Sequence, residues 1–145
     1  MADTPEGKVK AKLLKLYDAT GAWYDRAAQN AMGRNGRPDD LVCRADGHFG
    51  GIEAKADGIW RVSDLQRIEL NKIMAAGGSG IVCNLRNLGM VERWLGCNVV
   101  IHVVFGEPGT PKRNTVRHHL VLQPGREPIV IKNPGDKPGN TSQRA

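Results

Sequence analysis

A chain of 145 residues with 40% hydrophobic content is the length of one domain and can bury one core; its net charge of +6 is compatible with a polyanionic partner. No apolar run approaches a membrane span, the longest being residues 99–105, and the opening MADTPEGKVK lacks the apolar stretch of a signal peptide, so a cytosolic protein is expected. Cys43, Cys83 and Cys97 are odd in number and form no C-x-x-C pair, which argues against a zinc knuckle or a disulfide framework and for buried free thiols.

Thr4-Pro5-Glu6 reads as N-cap, first helical position and first-turn acid of a helix over 5–19, with Val9, Leu13, Leu16 and Tyr17 as its buried stripe and Gly21 as its stop. A short strand is expected over 22–28, then a loop through MGRNGRP. Strands over 39–44 and 49–56 flank Asp46-Gly47, a type I′ hairpin signal. A second helix starts near Ser63, whose Ser63-x-x-Gln66 spacing is that of a capping box, and ends at Gly77-Gly78. A buried strand over 80–84 leads to a third helix over 87–95, marked by Leu88, Val91, Trp94 and Leu95 at helical spacing. Strands over 98–105, 115–122 and 128–132 complete a single domain of residues 1–132, and the breaker-rich 133–145 reads as a disordered tail. The order of helices and strands predicts an α/β domain with a mixed central sheet flanked by helices.

Charge gathers at the first hairpin. Glu53 and Lys55 share one face of their strand, and a two-residue turn would set Asp39 across from Ala54 and Asp40 across from Glu53. Carboxylates this close repel unless a cation lies among them, and hard divalent ions take such oxygen ligands. A lysine beside them can orient a water or stabilise charge on a phosphate, which is the chemistry of phosphodiester cleavage. The plain alternative is a solvated face with a surface Glu53–Lys55 ion pair. Two further polar residues fall on apolar helical stripes: Glu6, which also suits its helix N-terminus, and Gln66, which also serves the capping box.

The ordered set Gly36-Arg37-Pro38-Asp39, Ile52-Glu53-Ala54-Lys55 and Val62-Ser63-Asp64-Leu65-Gln66 resembles the PD-(D/E)XK nuclease superfamily, and within it the compact stand-alone members of the VRR-NUC group from bacteriophages and bacteria. The resemblance covers residues 4–85 and implies a restriction-endonuclease-like core. It implies a metal-dependent DNA endonuclease using Mg²⁺ or Mn²⁺, selective for branched DNA in the manner of Holliday-junction resolvases, dimeric, and working in a bacterial or phage-infected cytosol. Asp39 and Glu53 would hold the metal with the Ala54 carbonyl, Lys55 would act on the attacking water, Gln66 would position substrate or water, and Glu6 would complete the acidic cluster. Two positions depart from the pattern: Asp40 follows the P-D aspartate where the group has a hydrophobic residue, and Ala54 stands where it often has valine. A bulge at Gly50-Gly51 is expected to return Asp39 to Glu53's face.

Around this site, Lys8, Lys12, Arg34, Arg37, Trp60 and Arg61 are the candidate DNA contacts. The Lys8, Lys12 and Lys15 stripe reads equally as a solvated face, and Trp60 equally as a packing residue. His118 and His119, facing opposite ways in a strand, suit a surface or phosphate-contacting role, and His48 at the turn is expected in solvent. The rival function is a catalytically silent DNA-binding module on the same fold; a plain interaction protein with a solvated hairpin is the third.

Overall fold

The Thr4 hydroxyl accepts the Gly7 N–H at 2.9 Å, Pro5 takes the first helical position, and Gly21, left-handed at φ 73°, closes helix α1 (Pro5–Thr20). The computed structural model describes residues 4–26, 35–96 and 98–133. After α1 come β1 (Trp23–Arg26), β2 (Asp40–Cys43), β3 (Phe49–Ala54), α2 (Asp64–Ala75), β4 (Ser79–Cys83), α3 (Leu88–Gly96), β5 (Val100–Phe105), β6 (Val116–Leu122) and β7 (Ile129–Lys132). The predicted order is the observed order, and the α/β class with a mixed central sheet is the observed class. Arg34, Cys97 and tail positions 134–145 lie outside the described residues. Asn133, assigned to the tail from sequence, instead donates to the Val116 carbonyl at 3.0 Å.

The seven strands lie side by side in chain order. Neighbours are antiparallel from β1 to β3 and from β5 to β7, and parallel from β3 through β4 to β5. Parallel neighbours need a crossover, and α2 and α3 supply the two. The helices take opposite faces of β3. A Cβ on Gly50 would meet Trp94 of α3 at 2.7 Å, and one on Gly51 would meet Ile73 of α2 at 2.8 Å, so these glycines admit a helix on either side. On the α1–α3 face, Val9, Leu13 and Tyr17 pack with Val42, Ile52, Ile81, Val91 and Trp94. On the α2 face, Leu70 packs with Val62 and Val82, joined by Val103, Phe105 and Val116.

The hairpin register differs from the expected one. A type I′ turn needs positive φ at both central residues, but among the described residues only glycines have it, so Asp46 does not. The turn is instead three residues long: Gly47 N–H donates to the Arg44 carbonyl at 2.8 Å and Arg44 N–H to the His48 carbonyl at 2.9 Å, with Gly47 at φ 91°. Asp46 holds this shape, accepting from the Arg44 guanidinium at 2.9 and 2.8 Å. The extra turn residue shifts the ladder by one, pairing Asp40 with Ile52 and Cys43 with Phe49. A one-residue shift exchanges the two faces of a strand. Asp39 therefore joins Glu53's face without any bulge at Gly50-Gly51, and Asp40 joins the core face with Ile52.

Candidate active site

Asp40 is fully engaged in the core. Tyr17 Oη donates to Oδ2 at 2.7 Å, and Arg26 donates through Nε to Oδ1 at 2.7 Å and through Nη2 to Oδ2 at 2.8 Å. Both oxygens are spent on a bidentate buried pair, so this aspartate is structural. Burial and the neighbouring Asp40 carboxylate push the Tyr17 hydroxyl well above the ordinary tyrosine range.

Asp39, one residue earlier, stands at the C-terminal end of β3. Its Oδ2 accepts the Ala54 N–H at 2.8 Å, and its Oδ1 lies 3.5 Å from Lys10 Nζ. Glu53 is buried, with 2% of its surface exposed. Its Oε2 accepts from Gln66 Nε2 at 2.7 Å and lies 3.7 Å from Lys55 Nζ. Its Oε1 is buried and meets no hydrogen-bond donor, the Asp39 carboxylate being within reach of Glu53 only through a shared proton. Burial first, and then the Asp39 carboxylate, push Glu53 up to about 8. A proton or a cation must therefore accompany this pair.

Gln66 meets both readings of its position at once. Its N–H donates to Ser63 Oγ at 3.1 Å and its Oε1 accepts the Ser63 N–H at 2.9 Å, a closed capping box. The same Oε1 accepts from Lys55 Nζ at 3.1 Å. The cap thereby fixes the carboxamide that bridges Glu53 and Lys55. Lys55 is anchored by its own N–H, which donates to the Cys83 carbonyl of β4 at 2.8 Å. Gly36, left-handed at φ 80°, seats the loop before Asp39 against α2: a Cβ there would lie 2.5 Å from the Leu65 carbonyl.

The structure thus brings Asp39, Glu53, Ala54, Lys55 and Gln66 together. Glu6 is placed differently from the inward position expected of it. Its side chain is 45% exposed and reaches Asp39 through Lys10, whose Nζ lies 3.2 Å from Glu6 Oε2. Lys10 is the site residue the sequence reading left unassigned; the available signal was its position four residues after Glu6, on the same helical face. Among the described residues, no three His, Cys, Asp or Glu side chains gather as a metal set, so the acidic group is a pair. Two carboxylates, one with an orphaned buried oxygen, are a donor set suited to a hard divalent ion that keeps several waters.

Of the candidate DNA contacts, Lys8, Lys12 and Arg61 are exposed. Arg37 is held by β1, donating to Asp25 Oδ2 at 2.9 Å and to the Asp25 carbonyl at 2.8 Å. Trp60 packs against the α2-side core, as the packing alternative expected. His119 is not on the surface: it is buried in β6, accepts the Val82 N–H at Nε2, and is pushed down to about 3 by burial. His48 is not in solvent either; its Nε2 lies 2.8 Å from Ser79 Oγ. Cys83 is a buried free thiol, pushed up to about 12 by burial.

Compared with known protein families, curated proteins and solved structures, the chain matches none.

Proposed function

We propose that the chain is a metal-dependent DNA endonuclease of the PD-(D/E)XK type. The observation that carries this reading is the buried, unpartnered Glu53 Oε1 beside Asp39, with Lys55 and Gln66 held on the other oxygen. An ordinary surface ion pair leaves no buried carboxylate oxygen without a partner. Asp39 and Glu53 would hold Mg²⁺ or Mn²⁺, with the Ala54 carbonyl as the third protein ligand. A bound divalent ion supplies Lewis acidity and lowers the pKa of a coordinated water.

The chain's own residues divide the remaining work. Asp39 and Glu53 would provide the negative charge that holds the ion, Glu53 binding it as the unprotonated carboxylate. Lys55 stands next to Glu53, where its amine would orient an attacking water or stabilise charge on a phosphate oxygen. Gln66 fixes both groups, so its carboxamide is a positioning device for this pair. Selectivity for branched DNA, a two-fold dimer supplying two cuts, and a cytosolic setting belong to the same reading. Among the described residues, no helix is long and apolar enough to cross a membrane.

The test is a panel of labelled duplex, nicked, flapped and four-way DNA with Mg²⁺, with Mn²⁺ and with chelator. Cleavage is expected with either ion and is lost with chelator, in Glu53→Gln and in Lys55→Ala. Wild-type cleavage by both variants would overturn the assignment. A silent DNA-binding module would bind the same DNAs, cut none, and show no rise in melting temperature with Mg²⁺.

A further inference from the structure

The 106–115 connection between β5 and β6 folds back onto the start of α2, about 50 residues away in sequence, as the separations of the bonded pairs record. Main-chain bonds fasten it: Val62 N–H donates to the Asn114 carbonyl at 2.9 Å and Val116 N–H to the Trp60 carbonyl at 2.7 Å, while Arg61 bridges Thr115. Side chains fasten it again. Arg67 Nε donates to Asn114 Oδ1 at 2.7 Å, and Asn114 Nδ2 donates to Asp64 Oδ1 at 2.7 Å. Arg113 reaches Asp64 through Nε at 3.3 Å and Nη2 at 3.5 Å. Asn114 is buried, so the loop is pinned in one shape.

This pinning gathers Arg61, Arg67 and Arg113 at one end of α2, with Asp64 as the acid among them and Lys112 next to Arg113 in the same loop. Arg61, Lys112 and Arg113 are exposed. The Arg113–Asp64 pair is about half exposed on both sides, so it is weak and exchangeable for another anion. The positive end of α2 adds to the same field. Arg67 directly follows Gln66, whose carboxamide touches Glu53. The cationic corner and the Gln66 carboxamide thus share the first turns of α2, Arg67 turning to Asn114 and Gln66 to Glu53.

We propose that this corner binds the phosphate backbone of duplex DNA and leads it to the Glu53 site; the second half of that statement rests on the nuclease reading. Groups that neutralise phosphates give affinity without sequence preference and make it fall steeply with salt. The loop backbone is fastened before any ligand arrives, so the ordering cost of binding falls on the exposed side chains alone.

The experiment is a salt titration of binding to a labelled DNA duplex in chelator, read by fluorescence anisotropy. Lys112→Ala with Arg113→Ala, and separately Arg61→Ala, are compared with wild type, after melting curves establish that each is folded. Each lost phosphate contact is expected to lower the slope of log affinity against log salt by about 0.9, and the double variant to bind roughly tenfold more weakly at low salt. The control is Lys72→Ala at the far end of α2, which is expected to bind as wild type. Unchanged slope and affinity in the corner variants overturns the proposal, as does an equal loss in the control or a preference for duplex RNA. The rise in melting temperature with Mg²⁺ is expected to survive in every corner variant. Normal DNA binding by the corner variants with Mg²⁺-dependent cleavage intact sinks this proposal alone; weakened binding with unimpaired cleavage by Glu53→Gln and Lys55→Ala sinks the nuclease reading alone.

Discussion

Two neighbouring aspartates have opposite tasks. Asp40 is locked to Tyr17 and Arg26 inside the core, so Asp40→Asn is expected to destabilise the fold by roughly 3 kcal/mol, through the charge left unpaired on Arg26. Asp39→Asn keeps an acceptor for the Ala54 N–H and is expected to cost under about 1 kcal/mol while abolishing the Mg²⁺-dependent rise in melting temperature. Urea denaturation with and without Mg²⁺ separates the two effects. Lys10 places a positive charge 3.5 Å from Asp39, where it competes with a divalent ion. Lys10→Met is therefore expected to tighten Mg²⁺ binding by about tenfold, read from melting temperature against Mg²⁺ concentration. At this scale the sequence was a partial guide. Spacing marked Glu53, Lys55 and Gln66, while Asp39 rather than Asp40 was singled out only by the resemblance to the PD-(D/E)XK pattern, and nothing in the sequence showed that Arg26 and Tyr17 would claim Asp40, because those contacts exist only once α1 and β1 are packed.

The elements were legible and one register was not, for related reasons. Caps, breakers and periodicity are local, and Thr4, Gly21, Ser63 and Gln66 announce their helix ends before any packing is known. The hairpin register depends on whether a turn holds two residues or three, and Asp46-Gly47 is compatible with both. The choice is made by the Arg44 guanidinium, which grips the Asp46 carboxylate and is itself held by the Trp94 carbonyl on α3. A nearby glycine gives a direct test of the packing on this hairpin. In Gly50→Ala the added methyl would press on Trp94, whose Nε1 donates to Ser79 Oγ at 3.0 Å. A loss of roughly 1–3 kcal/mol is expected in urea denaturation, with no change in the register of β2 and β3 by hydrogen exchange.

For the whole molecule, two buried titratable groups shape stability against pH in opposite senses. Glu53, raised from 4.5 to about 8, holds its proton more tightly in the folded state, so it withdraws stability as pH rises between those values. His119, lowered from 6.5 to about 3, refuses in the folded state a proton that the unfolded chain accepts, so it withdraws stability as pH falls between those values. Where the windows overlap, the slopes offset. The joint contribution of these two groups in chelator is a plateau between about pH 4.5 and 6.5 with a decline on either side, each group adding no more than about 1.4 kcal/mol per pH unit, and His48, His102 and His118, also lowered by burial, deepen the acid-side loss. Glu53→Gln flattens the alkaline arm and His119→Gln the acid arm. Saturating Mg²⁺ flattens the alkaline arm, because the ion takes the place of the proton in the folded state. A profile unchanged by Glu53→Gln would count against the carboxyl's shift. The seven-strand order and the two helical faces were foreseeable only as a class: local patterns name the strands, but which strand lies beside which is decided by the crossovers of α2 and α3.

Gly36 acts as a spacer between the two halves of the site. It lets the strand that delivers Asp39 and the helix that delivers Gln66 touch main chain to main chain, and its backbone angle is one that a side chain resists. Any larger residue would wedge those halves apart, well away from the acids themselves. The width of the site would then be set by the thickness of a single hydrogen atom, at a position that carries none of its charged groups.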